Sequence, residues 1–365
     1  MGSAEQESAG VTGRVFESAY MLWAKTRSRA KFNLATSGVP GYPLAELGAS
    51  IEDLEINGPG GYGYQPLRDA IGDEYGVPTE CIVAGGGTSG ANQYAFSLLL
   101  GPGDEVLIEH PAYDILTNLA LFTGATVKRF HRRPECGWAI DPDEIARAMT
   151  PRTKLIVLTN LHNPSCAPAD ETTLSLVGGI AASQGAHVLV DEAYLDCVWD
   201  AKPRSAFHLG PNFIVTSSLT KVYGLSGLRC GWIFAPADVA ERLWRLIDLF
   251  DNIPSHPAEL LSVMAFQKIE RIRERARALM EGNRAAYGPG APKYGTVAFP
   301  RMTGVSVGQF CEVLRSEHET SVVPGHFFEM PDRVRISLVA QPEVFREGLA
   351  RIRKTLEALD GWLED

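Results

Sequence analysis

Short apolar runs alternate along the middle of the chain with segments whose apolar residues recur every three or four positions. In one such segment Leu67, Ile71 and Tyr75 fall on the same face, which predicts a helix. The runs Lys154–Thr159 and His187–Asp191 lack this spacing and are typical of buried strands. Strands that alternate with helices indicate a mostly parallel sheet covered on both faces. The pattern therefore predicts an α/β fold.

The bounds of the predicted elements follow from the same spacing and from the glycine and proline residues that interrupt it. The predicted strands of the sheet are Cys81–Ala84, Glu105–Glu109, Thr126–Phe130, Lys154–Thr159, His187–Asp191, Phe213–Ser217 and Gly231–Ala235. The predicted helices between them are Leu67–Tyr75, Ala91–Leu100, Tyr113–Thr123, Asp141–Met149 and Asp170–Gln184.

The pattern changes in the last third of the chain. Long helices are predicted over Val239–Phe250 and about Ala258–Tyr287. Short predicted strands follow at Thr296–Phe299, Ser321–Val323 and Val334–Leu338. This arrangement indicates a second, smaller α+β domain after the large parallel sheet.

The predicted domain organisation divides the chain at the changes in pattern. Residues 1–13 are expected to be a disordered tail, and residues 14–50 the N-terminal segment of the small domain. Residues 51–252 form the large domain in this interpretation, and residues 253–365 the C-terminal part of the small domain. The break falls in Asn252-Ile253-Pro254, where proline disfavours a continuous helix.

Composition narrows the classes of partner. The chain has 34 Lys and Arg against 44 Asp and Glu, a net charge of −10, which argues against a nucleic-acid partner. Its apolar runs are too short to span a membrane, and its polar start lacks a signal-peptide pattern. The six cysteines form no CxxC pair and no metal-ligand spacing with histidine. We therefore expect no membrane partner, no metal, free thiols and a cytoplasmic location.

Chemically active residues follow the ends of three predicted strands. Asn163 follows one of them, Asp191 and Tyr194 end the next, and Lys221 and Arg229 follow the third. Parallel sheets bind ligands outside the carboxyl ends of their strands, so we expect these groups in one crevice. An imine-forming lysine, an arginine for a phosphate and a carboxylate for a ring nitrogen together suit a phosphorylated aromatic aldehyde.

The order and spacing of these residues resemble a known family. Ser218 and Lys221 form Ser-x-x-Lys, and Arg229 follows eight residues after the lysine with Gly-x-x-Gly between them. Asp-x-x-Tyr and His-Asn-Pro pieces precede this segment in the order expected of the family. From about Phe32 to Leu338 the chain resembles the fold-type I pyridoxal-phosphate enzymes of the class I/II aminotransferase group.

The resemblance implies pyridoxal 5′-phosphate as the cofactor. Lys221 matches the Schiff-base lysine, whose freed amine moves protons between the substrate α-carbon and the cofactor. Asp191 matches the aspartate that keeps the pyridine nitrogen protonated, although a helix N-cap is an alternative for it. Tyr194 and Asn163 match the groups that hydrogen-bond the ring hydroxyl, and Asn163 also matches a contact to the substrate carboxylate.

The same resemblance assigns the phosphate end. Arg229 and Ser218 match phosphate ligands, and arginine supplies a fixed fork of donors. Thr88, Ser89 and Gly90 open a predicted helix whose free N–H groups favour a dianion, although a plain strand-to-helix turn is the alternative. The glycine run before them fits neither GxGxxG nor a P-loop, which disfavours nucleotide binding.

The remaining matches concern the cofactor ring and the substrate. Tyr113 matches the ring that stacks on the cofactor, with a half-buried core tyrosine as the alternative. Arg335 matches the arginine that pairs in bidentate geometry with the substrate α-carboxylate, and Arg333 is then expected to be an exposed strand charge. Gly38 matches a position where the backbone comes close to the substrate.

Two positions depart from the family pattern. Gly58 stands where the family has a tyrosine that reaches the phosphate in the partner subunit, and Tyr62 or Tyr64 is the candidate substitute. Cys166 stands where the family has a glycine suited to a turn with positive φ. We expect Cys166 to be a tolerated turn variant, with a reshaped pocket floor as the alternative.

The resemblance implies a homodimeric aminotransferase that acts on an α-amino acid through Lys221. The same fold also hosts β-eliminating, carbon–sulfur-cleaving and decarboxylating lyases and amino-acid cyclases of secondary metabolism. The departures from the family pattern keep these reactions open. A non-catalytic binding protein of the same fold is a further alternative, against which the presence of Lys221 and Asp191 argues.

Overall fold

The computed structural model of the chain describes residues 17–364. The helices are α1 Ala19–Thr26, α2 Leu44–Leu47, α3 Gln65–Tyr75, α4 Gly87–Leu99, α5 Asp114–Thr123, α6 Pro142–Ala148, α7 Glu171–Ser183, α8 Ala237–Ile247, α9 His256–Phe266, α10 Ile269–Tyr287, α11 Val307–Ser316 and α12 Pro342–Ala358. The strands are β1 Phe32–Asn33, β2 Ile82–Ala84, β3 Glu105–His110, β4 Thr126–His131, β5 Thr153–Thr159, β6 His187–Asp191, β7 Phe213–Ser218, β8 Gly231–Phe234, β9 Val297–Ala298, β10 Arg301–Thr303, β11 Thr320–Ser321, β12 Val323–Pro324, β13 Val334–Ser337 and β14 Trp362–Glu364.

A seven-stranded sheet in the order β2-β8-β7-β6-β5-β3-β4 forms the centre of the fold. Strand β8 runs antiparallel to both of its neighbours, and the other pairings are parallel. Thr159 of β5 pairs in register with Asp191 of β6, which pairs with Thr216 of β7. The predicted α/β fold with a mostly parallel sheet is therefore confirmed.

Burial explains why the central strands read as continuous apolar runs. Residues 155–158 of β5 and 188–190 of β6 are completely buried, because helices cover both faces of the sheet. The helices that cover the sheet are apolar on one face only. In α8 the residues Val239, Leu243 and Ile247 form a buried stripe along that face. This packing holds the carboxyl ends of β5, β6 and β7 at one edge of the sheet.

A second core lies in the smaller α+β part of the molecule. It is built around the antiparallel strands β12-β13-β9 and includes Phe310, Ile336 and Phe345. Leu34, next to β1, is fully buried in this core, so the N-terminal segment packs with the C-terminal one. Met280 of α10, which follows the predicted domain boundary at 252/253, packs into the core around the seven-stranded sheet. That boundary therefore stays a prediction.

One predicted helix differs from the structure, and one predicted segment lies outside it. The single helix predicted over about 258–287 is wrong, because α9 and α10 are separated at Gln267 and Lys268. Neither residue is a glycine or proline, so no sequence signal marks the break, which lets Phe266 and Ile272 both reach the core. The expected disordered tail, residues 1–13, lies outside the described residues.

Membrane-spanning helices and metal clusters were sought among residues 17–364. None of the helices in that range combines the length and the apolar character that crossing a bilayer requires. No group of three or more His, Cys, Asp or Glu side chains there is arranged to hold a metal ion.

The start of α4 packs directly against β8. Gly231 of β8 faces the backbone of Gly87, and a Cβ atom at residue 231 would overlap that backbone. Gly87 has a φ of 66°, a conformation that glycine adopts without strain. The close approach therefore depends on the missing side chain at Gly231 and on the backbone conformation of Gly87.

We expect Gly231→Ala to lower the free energy of unfolding by about 1–3 kcal/mol, the usual cost of overpacking. Denaturant unfolding followed by circular dichroism measures this. Gly227→Ala is the matched control, because a Cβ atom at residue 227 meets nothing within 4 Å. Equal stabilities of the two variants would contradict the interpretation.

Candidate active site

A cleft of about 800 Å³ lies at the carboxyl ends of β5, β6 and β7. Segments from both cores contribute to its lining. Most of the residues predicted from the sequence line it, namely Thr88, Ser89, Tyr113, Asn163, Asp191, Tyr194, Lys221, Arg229 and Arg335. The other three predicted residues, Gly38, Gly90 and Ser218, lie beside this lining: Gly38 next to Lys221, Gly90 in the first turn of α4 and Ser218 against Thr88.

Lys221 shares a hydrogen-bonding partner with Tyr194. The Nζ atom of Lys221 donates to Oγ of Ser37 at 3.3 Å, and the Tyr194 hydroxyl donates to the same oxygen at 2.9 Å. Burial lowers the pKa of Lys221 to about 8, and the positive charges of Arg335 and Arg229 act in the same direction. Part of the Lys221 amine is therefore neutral near physiological pH, and a neutral amine can act as a base.

Asp191 is fixed by donors on one side. Nδ2 of Asn92 donates to Oδ2 of Asp191 at 2.9 Å, and the backbone N–H of Ala193 donates to Oδ1 at 3.1 Å. Oδ1 of Asn92 accepts from the Thr216 hydroxyl at 2.6 Å, which sets the orientation of the amide. Burial raises the pKa of Asp191, and these donors and the charge of Lys221 oppose that rise. A buried, oriented carboxylate of this kind can hold a proton on a cationic ring nitrogen.

An anion-binding cradle surrounds the start of α4. The Thr88 hydroxyl donates to Oγ of Ser218 at 2.7 Å, and Nη2 of Arg229 donates to the carbonyl oxygen of Gly86 at 2.9 Å. A Cβ atom at residue 87 would overlap the Arg229 guanidinium, so glycine is required there. The hydroxyls, the guanidinium and the free N–H groups of a 13-residue helix form a donor set that fits a phosphate dianion.

Arg335 lies fully inside the cleft wall, 1 % exposed. Its Nη1 donates to Oδ1 of Asn163 at 3.2 Å, and its Nη2 donates to the Tyr20 hydroxyl oxygen at 2.6 Å and to the carbonyl oxygen of Ala35 at 3.3 Å. Its Nε is buried without a hydrogen-bonding partner. A buried guanidinium with an unused donor, and with no carboxylate among these partners, is suited to a carboxylate ligand.

Arg333 differs from its expected role as an exposed strand charge. Only 6 % of Arg333 is exposed, and its Nη1 donates to the carbonyl oxygen of Phe299 at 2.7 Å. Its guanidinium lies 5.0 Å from the ring centroid of Trp138. The expectation was wrong because aromatic rings from two other segments cover this strand, which the local pattern does not reveal.

Tyr113 connects the cleft to helix α1. Its hydroxyl donates to Sδ of Met21 at 3.3 Å, and its ring meets that of Tyr20 edge-on at 5.6 Å. The next residue, Asp114, accepts from the Ser18 hydroxyl at 2.7 Å. Tyr113 is thus held at the cleft by α1, and its stacking on a cofactor ring stays a prediction.

Ser37, Asn92 and Tyr20 contact the predicted residues directly but were missed by the sequence reasoning. Ser37 precedes Gly38 in the segment that resembles the family, so its position was the best available signal. Asn92 lies within a predicted helix, and only the fold brings it to Asp191. Tyr20 carries no local motif at all.

The residues at the departures from the family pattern do not line the cleft. A Cβ atom at residue 58 would come within 3.0 Å of His256, and the Tyr64 ring packs edge-on against that histidine at 4.8 Å. The Tyr62 hydroxyl donates to Asp248 at 3.0 Å. Contacts from Tyr62 or Tyr64 to a partner subunit stay predictions.

Cys166 occupies a turn with a φ of 63°, the conformation that favours glycine. The side chain is 5 % exposed, and its Sγ donates to the carbonyl oxygen of Val297 at 3.3 Å. Burial raises the pKa of this thiol, which disfavours the nucleophilic thiolate. Since Cys166 is not among the cleft-lining residues, its contacts favour the turn variant over the reshaped pocket floor.

Comparison with known proteins places the chain among pyridoxal-phosphate enzymes. Residues 55–352 match the family described as aminotransferase class I and II. Capreomycidine synthase from Streptomyces vinaceus is 31 % identical over 358 residues, which cover 92 % of this chain and 92 % of that protein. An aspartate aminotransferase from Pyrococcus horikoshii is 28 % identical over 322 residues, covering 81 % of this chain and 82 % of that protein.

Structural similarity extends over nearly the whole chain. A PLP-dependent aminotransferase from Streptococcus suis 89-1591 superimposes with a TM-score of 0.87 at 27 % identity, covering 93 % of this chain and 97 % of that one. The cofactor predicted from the motifs is thus the one that this family uses. The chain belongs to the aminotransferase class I and II family and is a pyridoxal 5′-phosphate-dependent enzyme.

Proposed function

We propose that this enzyme is an aminotransferase that acts on an α-amino acid, with Lys221 as the residue that holds the cofactor covalently. The observation that carries the proposal is the convergence in one cleft of the half-buried Lys221 with the buried Asp191 and Arg335, each held by neutral donors or acceptors. These groups suit an imine, a protonated pyridine nitrogen and a substrate carboxylate, respectively.

The proposed roles of the other residues follow from their chemistry. Arg229, Ser218, Thr88, Ser89 and Gly90 hold the phosphate at the start of α4. Tyr194 and Asn163 donate to the ring oxygen, and Tyr113 covers the ring. Because Gly38 has no side chain, it leaves room beside Lys221 for a substrate to approach.

Proton movement falls to Lys221. When bound, the cofactor supplies an electron sink for the electron pair left at the α-carbon. The Lys221 amine takes the proton from the α-carbon, since its pKa of about 8 leaves part of it neutral at pH 7. Arg335 fixes the carboxylate, which orients the α-hydrogen toward that amine. Asp191 keeps a proton on the ring nitrogen throughout.

A second candidate is an amino-acid cyclase or lyase on the same fold. The 31 % identity over 92 % of the chain with capreomycidine synthase, a relative that is not named as an aminotransferase, favours a reaction other than transamination. Loss of the α-proton is common to both candidates, so the residues proposed above serve either reaction. The reactions differ in what leaves the substrate afterwards.

The reaction type is tested by incubating holoenzyme with a panel of amino acids and no keto-acid acceptor. For transamination we expect one equivalent of keto acid per active site and conversion of the cofactor to its pyridoxamine form. Absorbance spectra and quantification of the keto acid measure both. Continuous release of ammonia, thiol, carbon dioxide or a cyclic product would overturn the transaminase proposal and support the second candidate. Lys221→Ala is the control and should do neither.

The pKa of Lys221 generates a pH prediction for the apoenzyme. About a tenth of an amine with a pKa of about 8 is neutral at pH 7, and about nine tenths at pH 9. We therefore expect covalent capture of pyridoxal phosphate to accelerate about tenfold over this range and then to level off. Stopped-flow absorbance of the visible band measures the rate. A rise of about a hundredfold without levelling would indicate an ordinary lysine pKa.

We further propose that the enzyme is a homodimer. Leu249, Phe250 and Ile253 are large apolar residues that are 79 %, 45 % and 50 % exposed. Ile56, which is 86 % exposed, and Ile253 line one surface depression. Ile253 also lines a second depression, to which Arg229 contributes. Exposed apolar residues around two depressions, one of them lined by the proposed phosphate ligand Arg229, are suited to contact with a second copy of the chain.

We expect Ile253→Asp to shift the protein toward monomer and to weaken retention of pyridoxal phosphate, because a buried charge disfavours the interface. Sedimentation velocity measures the first effect, and absorbance after dialysis measures the second. Leu176→Asp, on α7, is the matched control for an exposed apolar residue, since Leu176 is 56 % exposed. Unchanged sedimentation of Ile253→Asp would contradict the proposed interface.

The proposed compartment is the cytoplasm. The six cysteines are unpaired in the structure, and Cys166, Cys197 and Cys230 are buried. Free thiols suit a reducing environment.

A further inference from the structure

A buried ion pair lies behind the cleft. Nη1 of Arg132 donates to Oε2 of Glu109 at 3.1 Å, and both side chains are fully buried. The other donors of Arg132 reach the carbonyl oxygens of Trp138 at 2.7 Å and Ala167 at 3.3 Å. The guanidinium is thus held by several segments, which fixes the carboxylate that it pairs with.

Thr159 connects this ion pair to the cleft. Its backbone N–H and its hydroxyl both donate to Oε1 of Glu109, each at 2.6 Å. Nη1 of Arg132 donates to the carbonyl oxygen of Thr159 at 3.3 Å. The last residue of β5 is therefore held from its backbone and from its side chain.

The hydroxyl of Thr159 also holds Asn163. Because its proton goes to Glu109, the oxygen presents a lone pair to the cleft, and the backbone N–H of Asn163 donates to it at 2.9 Å. The Asn163 side chain accepts from Arg335 at 3.2 Å. A continuous series of hydrogen bonds runs from the ion pair through Thr159 and Asn163 to Arg335.

We propose that Thr159 is a positioning residue that fixes Asn163 against the buried Glu109–Arg132 pair and so sets the geometry at both the cofactor ring and the substrate carboxylate. This rests on the roles proposed for Asn163 and Arg335. A hydroxyl is needed at residue 159 because only a group that donates and accepts at once can join the carboxylate to the Asn163 N–H. Apolar side chains of the same shape leave that N–H without its partner.

Thr159→Val tests this with the least change of shape. We expect the visible band of bound pyridoxal phosphate to titrate at higher pH. Weaker donation from Asn163 leaves more negative charge on the ring oxygen, which then holds the proton on the Lys221 nitrogen more strongly. We also expect the KM for the best amino acid of the panel to rise about tenfold, with a smaller change in kcat. The spectroscopic titration needs no turnover, so it separates failure of this inference from failure of the proposed reaction.

The control is Thr153→Val at the other end of the same strand. Thr153 is 1 % exposed, and its hydroxyl accepts from the backbone N–H of Thr150 at 3.0 Å. Thr153→Val thus removes a buried hydroxyl, as Thr159→Val does, but at a residue that does not line the cleft. The titration midpoint and KM are expected to stay at wild-type values. Equal effects of the two variants would overturn the proposal in favour of a general loss of stability.

Thr159→Ser and Thr159→Ala keep the inference testable where the valine variant does not fold. The serine variant retains the hydroxyl and is expected to keep the wild-type titration midpoint and KM. Thr159→Ala removes it and is expected to show the shifts described for valine. Identical behaviour of the serine and alanine variants would overturn the role of the hydroxyl.

Discussion

The parallel register of β5, β6 and β7 is the constraint on which the site depends. Because Thr159, Asp191 and Thr216 are aligned across the three strands, the segments after them emerge at one edge of the sheet. That edge receives an amide from the first segment, a carboxylate from the second and an amine from the third. A shift of one residue in any strand would turn the side chain at its end to the opposite face of the sheet.

Burying charged groups at that edge is costly unless each finds partners, and the structure supplies them mainly as neutral ones. Asp191 takes the amide of Asn92, and Lys221 takes the hydroxyl of Ser37. Neutral partners orient a charge without neutralising it, so the charges remain available to a ligand. The contrast is Glu109 with Arg132, where two charges satisfy each other and serve as an anchor.

How much the sequence can predict depends on the distance over which each signal acts. Lys221, Asp191 and Arg229 lie in motifs whose spacing is set by a strand and the turn after it, so they could be found by resemblance to a family. The contact of Tyr20 with Arg335 spans 315 positions and depends on α1 packing in a small separate cluster with Phe299 and Phe328. The burial of Arg333 and the break between α9 and α10 also depend on distant packing, and local periodicity does not encode it.

The same reasoning bears on which reaction the enzyme performs. A relative named as an aminotransferase and a relative named as a synthase both match most of this chain, so family membership does not by itself select the product. The cleft is also lined by residues outside the strand-end motifs, among them Ser18, Met21 and Lys25 of helix α1 and its N-cap. Because α1 also carries Tyr20, which accepts from Arg335, this helix contributes both to the wall of the cleft and to the setting of the arginine proposed to bind the substrate carboxylate. A change in α1 is therefore expected to affect the wall of the cleft and the hydrogen bonding of Arg335 together.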